Sequence, residues 1–377
     1  MATGRRGKGE GSVFQRGDGI WTSTITVGYN ATGKRIRKTV YGDTKKDVTD
    51  KLTRLQNQKL DGILSEESKL TVGEYLDRWL ADSVKPSRRA TTHASYKGHV
   101  EKHLKPSIGS VKLVKLTPAH VAGLYATMER DGKSARLRQL IHATLHRALN
   151  IAVKWGLVIR NVCQAVERPR APKMEITPIT ADQARALLLA ADGNRLEALY
   201  VLAVATGLRS GELLGLHWSD IDLKAGMLAV RRTLIELGNE LSFGEPKTKA
   251  GKRAIPLPAI AVDALTLHKG RMMTEGHGPN PLVFIDGQGN PIRRSDLRRF
   301  SLHPLLKKAG IPEIRFHDLR HTCATLLFSE GTHPKIVQER LGHSTIALTL
   351  DTYSHCLPSM QVSASDTLNS ILKRAIG

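Results

Sequence analysis

The stretch Leu341 to His355 reads LGHSTIALTLDTYSH, and His317 to His321, upstream of it, reads HDLRH. Gly342 permits a sharp turn, which places His343 to cap a helix start, and Tyr353 follows one helical segment further on. His317 and Arg320 are three apart, His317 and His321 four apart, and both pairs share a helical face. A phenol, imidazoles and a guanidinium are thus brought towards one another near the end of the chain. Those groups suit nucleophilic attack on a phosphodiester without a metal. Taken singly, each is bland. A lone tyrosine near a C-terminus usually packs, and two histidines at this spacing can bind zinc. The zinc-protease helix, however, carries Glu after its first histidine, where Asp318 stands here, and no acidic third ligand is evident nearby.

Two further segments extend the set. In Ala205–Leu216, ATGLRSGELLGL, Gly207 is suited to end one helix and Ser210 to cap the next, which fixes Arg209 in a tight turn beside a helix N-terminus that favours anions. Met227–Thr233 and the segment to about Phe243 alternate as strands, Arg253–Leu257 reads as a return strand, and Lys247–Gly251 is then the tip of a hairpin. Lysines at such a tip can reach an oxygen that must be protonated. Lys247 is the candidate, with Lys249 and Lys252 as alternatives while the register is unknown.

The rest of the chain looks like a means of holding a polyanion. Its 377 residues carry 57 Lys and Arg against 35 Asp and Glu, a net charge of +22. That surplus points to an extended anionic partner, most simply nucleic acid. It is unevenly spread. Residues 63–174 hold 20 basic against 9 acidic residues, while residues 175–377 hold 24 against 20. The middle of the chain is therefore the main electrostatic grip and the C-terminal half the catalytic body.

The organisation follows from periodicity and punctuation. Residues 1–11 are Gly- and Arg-rich, with no apolar run behind them to make a secretory signal. Trp21–Tyr29 and Arg35–Tyr41 alternate as strands about the turn residues 30–33, and a helix runs from Asp43 to about Leu60 with Val48, Leu52, Leu55 and Leu60 on one side. Arg35, Arg37 and Lys38 give the second strand a basic face of the kind that can lie in a DNA major groove. After a polar linker at 62–69, residues 71–155 read as four helices. Val72, Tyr75, Leu76 and Trp79 form the stripe of the first; the second spans 91–104; Thr117 and Pro118 open the third. Leu137, Leu140, Ile141, Leu145 and Leu149 are the stripe of the fourth. Arg88, Arg89 and Lys97 are candidate DNA contacts. Val166–Lys173 is a Pro- and Arg-rich connector, and the capping box Thr180–Gln183 opens the next domain. Cys163, Cys323 and Cys356 form no C-x-x-C, which suggests neither a disulfide framework nor a thiolate zinc site and fits a reduced cytoplasmic protein. The longest apolar run, Ala198–Leu208, is far too short to span a bilayer.

Together these segments resemble the tyrosine recombinase family, specifically phage-type integrases. The matching residues are Arg209 in ATGLRSGEL, Lys247 in PKT, His317 and Arg320 in HDLRH, His343 in LGH and Tyr353 in LDTYSH. The likeness is strong over residues 175–357, moderate over 70–165 and weaker before that. It implies a multidomain fold: a small β-sheet plus helix as an N-terminal arm-binding domain (1–62), an all-α core-binding domain (63–170), and a mainly α, α+β catalytic domain (171–377). The helical and catalytic domains would form a C-shaped clamp on the core site. The implied activity is site-specific recombination without metal, ATP or any other cofactor. Tyr353 would attack to give a 3′-phosphotyrosine, Arg209 and Arg320 would hold the phosphate oxygens, and His343 would donate to them. His317 would serve as base and Lys247 as acid. The implied partners are double-stranded DNA at core-type and arm-type sites and three further copies of the chain, together with a host DNA-bending factor and a directionality factor, in a bacterial cytoplasm. The apolar positions Leu368, Ile371 and Leu372 in the tail would pack on a neighbouring protomer or at home. Two other readings stand beside this one: a type IB topoisomerase-like nicking and closing enzyme, which shares the site, and a non-catalytic DNA-binding regulator, which accounts for the charge alone.

Overall fold

The computed structural model describes residues 12–29, 35–60, 69–172, 178–353 and 358–376. The Gly- and Arg-rich start, the turn at 30–33, most of the linker 62–69, and Cys356 lie outside them. The chain divides into two compact units, Met1–Lys173 and Met174–Gly377.

In the first unit, strands β1 (Val13–Gln15), β2 (Trp21–Tyr29) and β3 (Arg35–Gly42) form an antiparallel sheet in that order. Sequence alternation finds β2 and β3; β1 is too short for a period to register. Ile25 stands opposite Lys38, and Thr26 opposite Arg37. Cross-strand partners share a face, and successive residues alternate. Lys38 is therefore on the side of buried Ile25, away from exposed Arg37. The expected basic face cannot hold both, and the side chain of Arg35 lies outside the described residues. The helix Lys45–Leu60 packs Val48 and Leu52 against this sheet.

The helical part opens at Thr71, whose hydroxyl accepts from the Glu74 amide while the Glu74 carboxylate accepts from the Thr71 amide. Val72, Tyr75, Leu76 and Trp79 are fully buried, as their spacing predicts, against Ile141, Leu145 and Leu149 of the helix Ala135–Lys154. Leu140 is exposed rather than buried. The buried stripe is Ile141, Leu145, Ala148, Leu149 and Ala152, and Leu140 lies about 100° behind it. The second helix does not stop before Pro106. It runs from Ala90–His99 through a wide turn, Val100–Leu104, into Lys105–Ile108. The same wide turn precedes Pro86 and, in the second unit, Pro304. In each case the residue before the proline donates its amide to a carbonyl five residues back: Lys85 to Leu80, Lys105 to Val100, His303 to Arg298. A proline ring clashes with the carbonyl four residues earlier; a π-type turn relieves that clash without ending the helix.

The second unit has a large core in which the helix Glu197–Thr206 is buried almost all round. Strands β4 (Ile221–Asp222), β5 (Met227–Val230) and β8 (Arg253–Pro256) form one sheet, in the order β4-β5-β8, while β6 (Thr233–Leu237) and β7 (Glu240–Gly244) form a separate hairpin. This corrects the expected hairpin. The turn between paired strands is at Gly238–Asn239, whereas Lys247–Gly251 belongs to a connection that crosses from one sheet to the other. Alternation identifies the strands but not their partners. Beyond Arg293 the described residues are mainly helical, including the helices Asp318–Ser329, Pro334–Leu341, Ile346–Tyr353 and Pro358–Ile376.

Candidate active site

Arg209 is set by two helix ends. The helix Glu197–Thr206 stops at Gly207, whose φ of 63° is left-handed. A Cβ there would come within 2.5 Å of a Leu341 methyl. Arg209 itself, rather than Ser210, occupies the cap position of the next helix, Ser210–Leu214. Glu212 organises the turn: one carboxylate oxygen accepts from the Arg209 amide at 3.1 Å, the other from its guanidinium at 2.7 Å. Arg253 of β8 reaches the same carboxylate at 3.1 Å. Burial alone would raise the Glu212 carboxyl, but Arg253 and Arg209 outweigh it and hold it below the usual range.

Arg253 also ties this turn to the Leu-Gly-His segment. Its Nε donates to the Arg340 carbonyl at 2.6 Å, and Arg209 Nη2 donates to the Gly342 carbonyl at 3.2 Å. Gly342 ends the helix Pro334–Leu341 with φ of 66°, and a Cβ there would meet the Ala250 carbonyl at 2.7 Å and Arg253 Nη1 at 2.8 Å. His343 follows it, buried, with Nδ1 2.8 Å from the Thr349 hydroxyl. His343 does not cap the next helix. Thr345 does, its hydroxyl accepting from the Leu348 amide.

Arg320 is 2% exposed, and its Nη1 donates to the Gly207 carbonyl at 2.8 Å. Its Nη2 is buried without a hydrogen-bond partner among the described residues. A buried, unpaired N–H of a charged group is costly, and this one is suited to donate to an anion. Burial, then Arg209, push its pKa down to about 9, which leaves it charged at neutral pH. His317 is exposed at the rim, on the turn before helix Asp318–Ser329. Partial loss of solvent around the ring, then Arg320 and Arg209, lower its pKa. His343 is pushed down to about 3 by burial, then by Arg320 and Arg209. Both imidazoles are neutral at pH 7, and both feel the same two guanidiniums.

Tyr353, the last residue of its helix, is 1% exposed and packs with Ala324, Phe328, Val337 and Leu341. Its hydroxyl lies 2.7 Å from His321 Nδ1, and it is among the groups that act on Arg320. The geometry thus brings together Arg209, His317, Arg320, His343 and Tyr353. Lys247 is exposed on the crossing connection and is not among the charges that chiefly shift His317 or His343. The side chain of Lys249 lies outside the described residues, and Lys252 pairs with Glu245 at 2.7 Å. Nothing favours the zinc reading: His321 Nδ1 is engaged by Tyr353, and Asp318 is held in a bidentate pair by Arg315. Sequence reasoning missed Glu212, Arg253 and the role of His321. The signals were present, as Glu212 is three residues after Arg209 and His321 four after His317, but Arg253 becomes part of the site only through strand pairing.

A buried tyrosine beside two guanidiniums and neutral imidazoles has the make-up of a phosphoryl-transfer site. Residues 178–360 match the family model "Phage integrase family", and residues 71–128 match "Phage integrase, N-terminal SAM-like domain". A tyrosine recombinase XerC-like protein of Caldanaerobacter subterraneus subsp. tengcongensis is 32% identical over 96% of this chain and 98% of that one. An integrase of Streptomyces ambofaciens is 29% identical over 98% of each. An integrase of Mycobacterium phage L5 is 31% identical over 74% of this chain and 73% of that one. Among solved structures, the Tn1549 transposon integrase with circular intermediate DNA superposes with a TM-score of 0.67 at 21% identity, covering 79% of this chain and 99% of that one. A lambda integrase dimer on a core site gives 0.61 at 21% identity, covering 93% and 96%. The chain belongs to the phage integrase family: it is a tyrosine recombinase of the phage or transposon integrase type, an enzyme of DNA breakage and rejoining.

Proposed function

We propose that the chain cleaves and rejoins DNA at specific sites through a 3′-phosphotyrosine on Tyr353, passing through a Holliday junction, to integrate and excise a phage or other mobile element. The observation that carries this reading is Arg320, a buried guanidinium with an unpartnered Nη2 that stands beside Arg209, His317 and His343. In-line attack builds charge on the non-bridging oxygens of a phosphodiester. Two guanidinium forks, Arg209 and Arg320, hold those oxygens and remain charged, and His343 donates a further hydrogen bond. Loss of one such preorganised donor costs on the order of 10²–10³-fold in rate. Lys247 protonates the departing 5′-oxygen as general acid, and His317 is the base that the family resemblance suggests. The covalent ester stores the bond energy, so a partner strand's 5′-hydroxyl can reverse the step without ATP.

The partners follow from charge and from kinship. Core-type sites are bound by residues 63–170 with 171–377; Arg88, Arg89 and Lys97 are exposed there and suit phosphate contacts. Arm-type sites fall to residues 1–62, with Arg37 on the open sheet face. A lambda integrase tetramer has been solved on a Holliday junction; by analogy, four copies of this chain assemble on two DNA segments. Host bending and directionality factors assist, in the cytoplasm of a bacterial host. The tail helix Pro358–Ile376 exposes Leu368, Ile371 and Leu372, which suits packing on a neighbouring copy.

The test is covalent capture. A duplex selected from a random-sequence pool by binding to the full chain is rebuilt with 5′-bridging sulfur at its central phosphates. The wild-type chain should form a denaturant-stable adduct, and Tyr353→Phe should bind equally and form none. An equal adduct from the variant would remove Tyr353 as nucleophile. Relaxation of a supercoiled plasmid that lacks the selected site would favour a topoisomerase instead.

A further inference from the structure

We infer that His321 is a further catalytic residue: its Nδ1 accepts the phenolic proton of Tyr353 as that oxygen attacks phosphorus. This rests on the reading of Tyr353 as the nucleophile. Nδ1 lies 2.7 Å from the phenolic oxygen, within the reach required of a general base. The two rings pack with centroids 5.6 Å apart. His321 is buried in the first turns of the helix Asp318–Ser329, and the His317 ring stands edge-on against it at 5.0 Å. The imidazole is therefore fixed from two sides, with one ring nitrogen aimed at the reacting oxygen. His317, which the family resemblance suggests as base, is instead exposed at the rim; with His321 taking the phenolic proton, His317 is left to hydrogen-bond the incoming phosphate.

The electrostatics favour a base that wakes when substrate arrives. Burial, then His317, with Arg320 and Arg315 and against Asp318, lower the His321 pKa to about 4, and His343 also faces it. In the free protein the ring is neutral and its lone pair available, but weakly basic. A phosphate held by Arg209 and Arg320 cancels part of the positive field, so the basicity of His321 recovers as the scissile group is seated. The step balances. The bond from the Tyr353 oxygen to phosphorus forms as the bond from phosphorus to the 5′-oxygen breaks. The phenolic proton passes to His321 Nδ1, and the 5′-oxygen takes a proton from Lys247. On rejoining, His321 returns its proton to the phenol and the attacking 5′-hydroxyl returns one to Lys247.

The test uses the full chain, the selected duplex with ordinary or 5′-bridging-sulfur phosphates, and two variants. His321→Asn keeps a hydrogen-bonding group at the position without a base; His321→Ala removes both. DNA binding and thermal melting verify that each variant folds, and His321→Asn decides the matter if His321→Ala does not. His321→Asn should bind DNA normally but form adduct about 10²–10⁴-fold more slowly at neutral pH. The defect should persist with bridging sulfur, whose departure needs no acid, and should shrink as pH rises towards the phenol's own range. Lys247→Ala should show the opposite pattern, rescued by sulfur. A wild-type rate and pH profile in folded His321→Asn would overturn the assignment while leaving Tyr353 in place. Adduct formation by Tyr353→Phe would instead overturn the reading beneath it.

Discussion

At Arg320 the chain tolerates an arrangement that stability alone would remove. The guanidinium is buried, half of its fork is unpaired, and it faces Arg209 and Arg253, which Glu212 and Tyr353 offset only in part. Burial, joined by this field, keeps His321 and His343 neutral, with pKa values lowered to about 4 and about 3. Histidines depressed in this way stabilise the fold above their unfolded value near 6.5, and that stability is lost as pH falls towards the folded values. Between about pH 6.5 and 4, each should cost up to about 1.4 kcal/mol per pH unit. Melting of the wild type and of His343→Gln across that window should show a shallower decline in the variant; parallel curves would mean that His343 titrates normally. The candidate site residues were legible, because Arg, Lys, His, Arg, His and Tyr occur in that order along the chain. What could not be read was environment. Tyr353 and His321 are 32 positions apart, and only packing of one helix on another makes them partners.

Among the elements, the connection from β7 to β8 and the turn at Gly342 matter most. Alternation marks three short stretches around them as strands and misses the two-residue β4, but a strand pattern has no address for its partner. The lysine segment was therefore placed at a hairpin tip when it spans two sheets. The pattern also ends the second helix at residue 104, where a π-type turn carries it on through Pro106. Gly342, by contrast, was readable, since a glycine before His343 signals a left-handed turn. Gly342→Ala should be destabilising by about 1–3 kcal/mol through backbone strain, with added disturbance of Arg253, which a Cβ would touch. Arg253→Met should leave Glu212 buried with one partner fewer and cost about 3–5 kcal/mol. Chemical denaturation would measure both; unchanged midpoints would show that the two links do not hold the Leu-Gly-His segment.

At the scale of the whole molecule, the +22 charge sets how tightly DNA is held. A protein making 6–10 phosphate contacts loses roughly 10³–10⁵-fold in affinity between about 50 and 200 mM salt. The full chain should fall in that range, and Arg88→Ala combined with Arg89→Ala should reduce the slope of log affinity against log salt by about 2. An unchanged slope would take these arginines off the DNA. The tail helix has a consequence of another kind. Val362, Leu368, Ile371, Leu372 and Ile376 all face water, and exposed apolar surface of this sort favours association with whatever is at hand. Without a partner to cover it, the chain carries its own limit on solubility. Its useful concentration in a cell is then bounded from above by self-adhesion and from below by the need to meet on DNA.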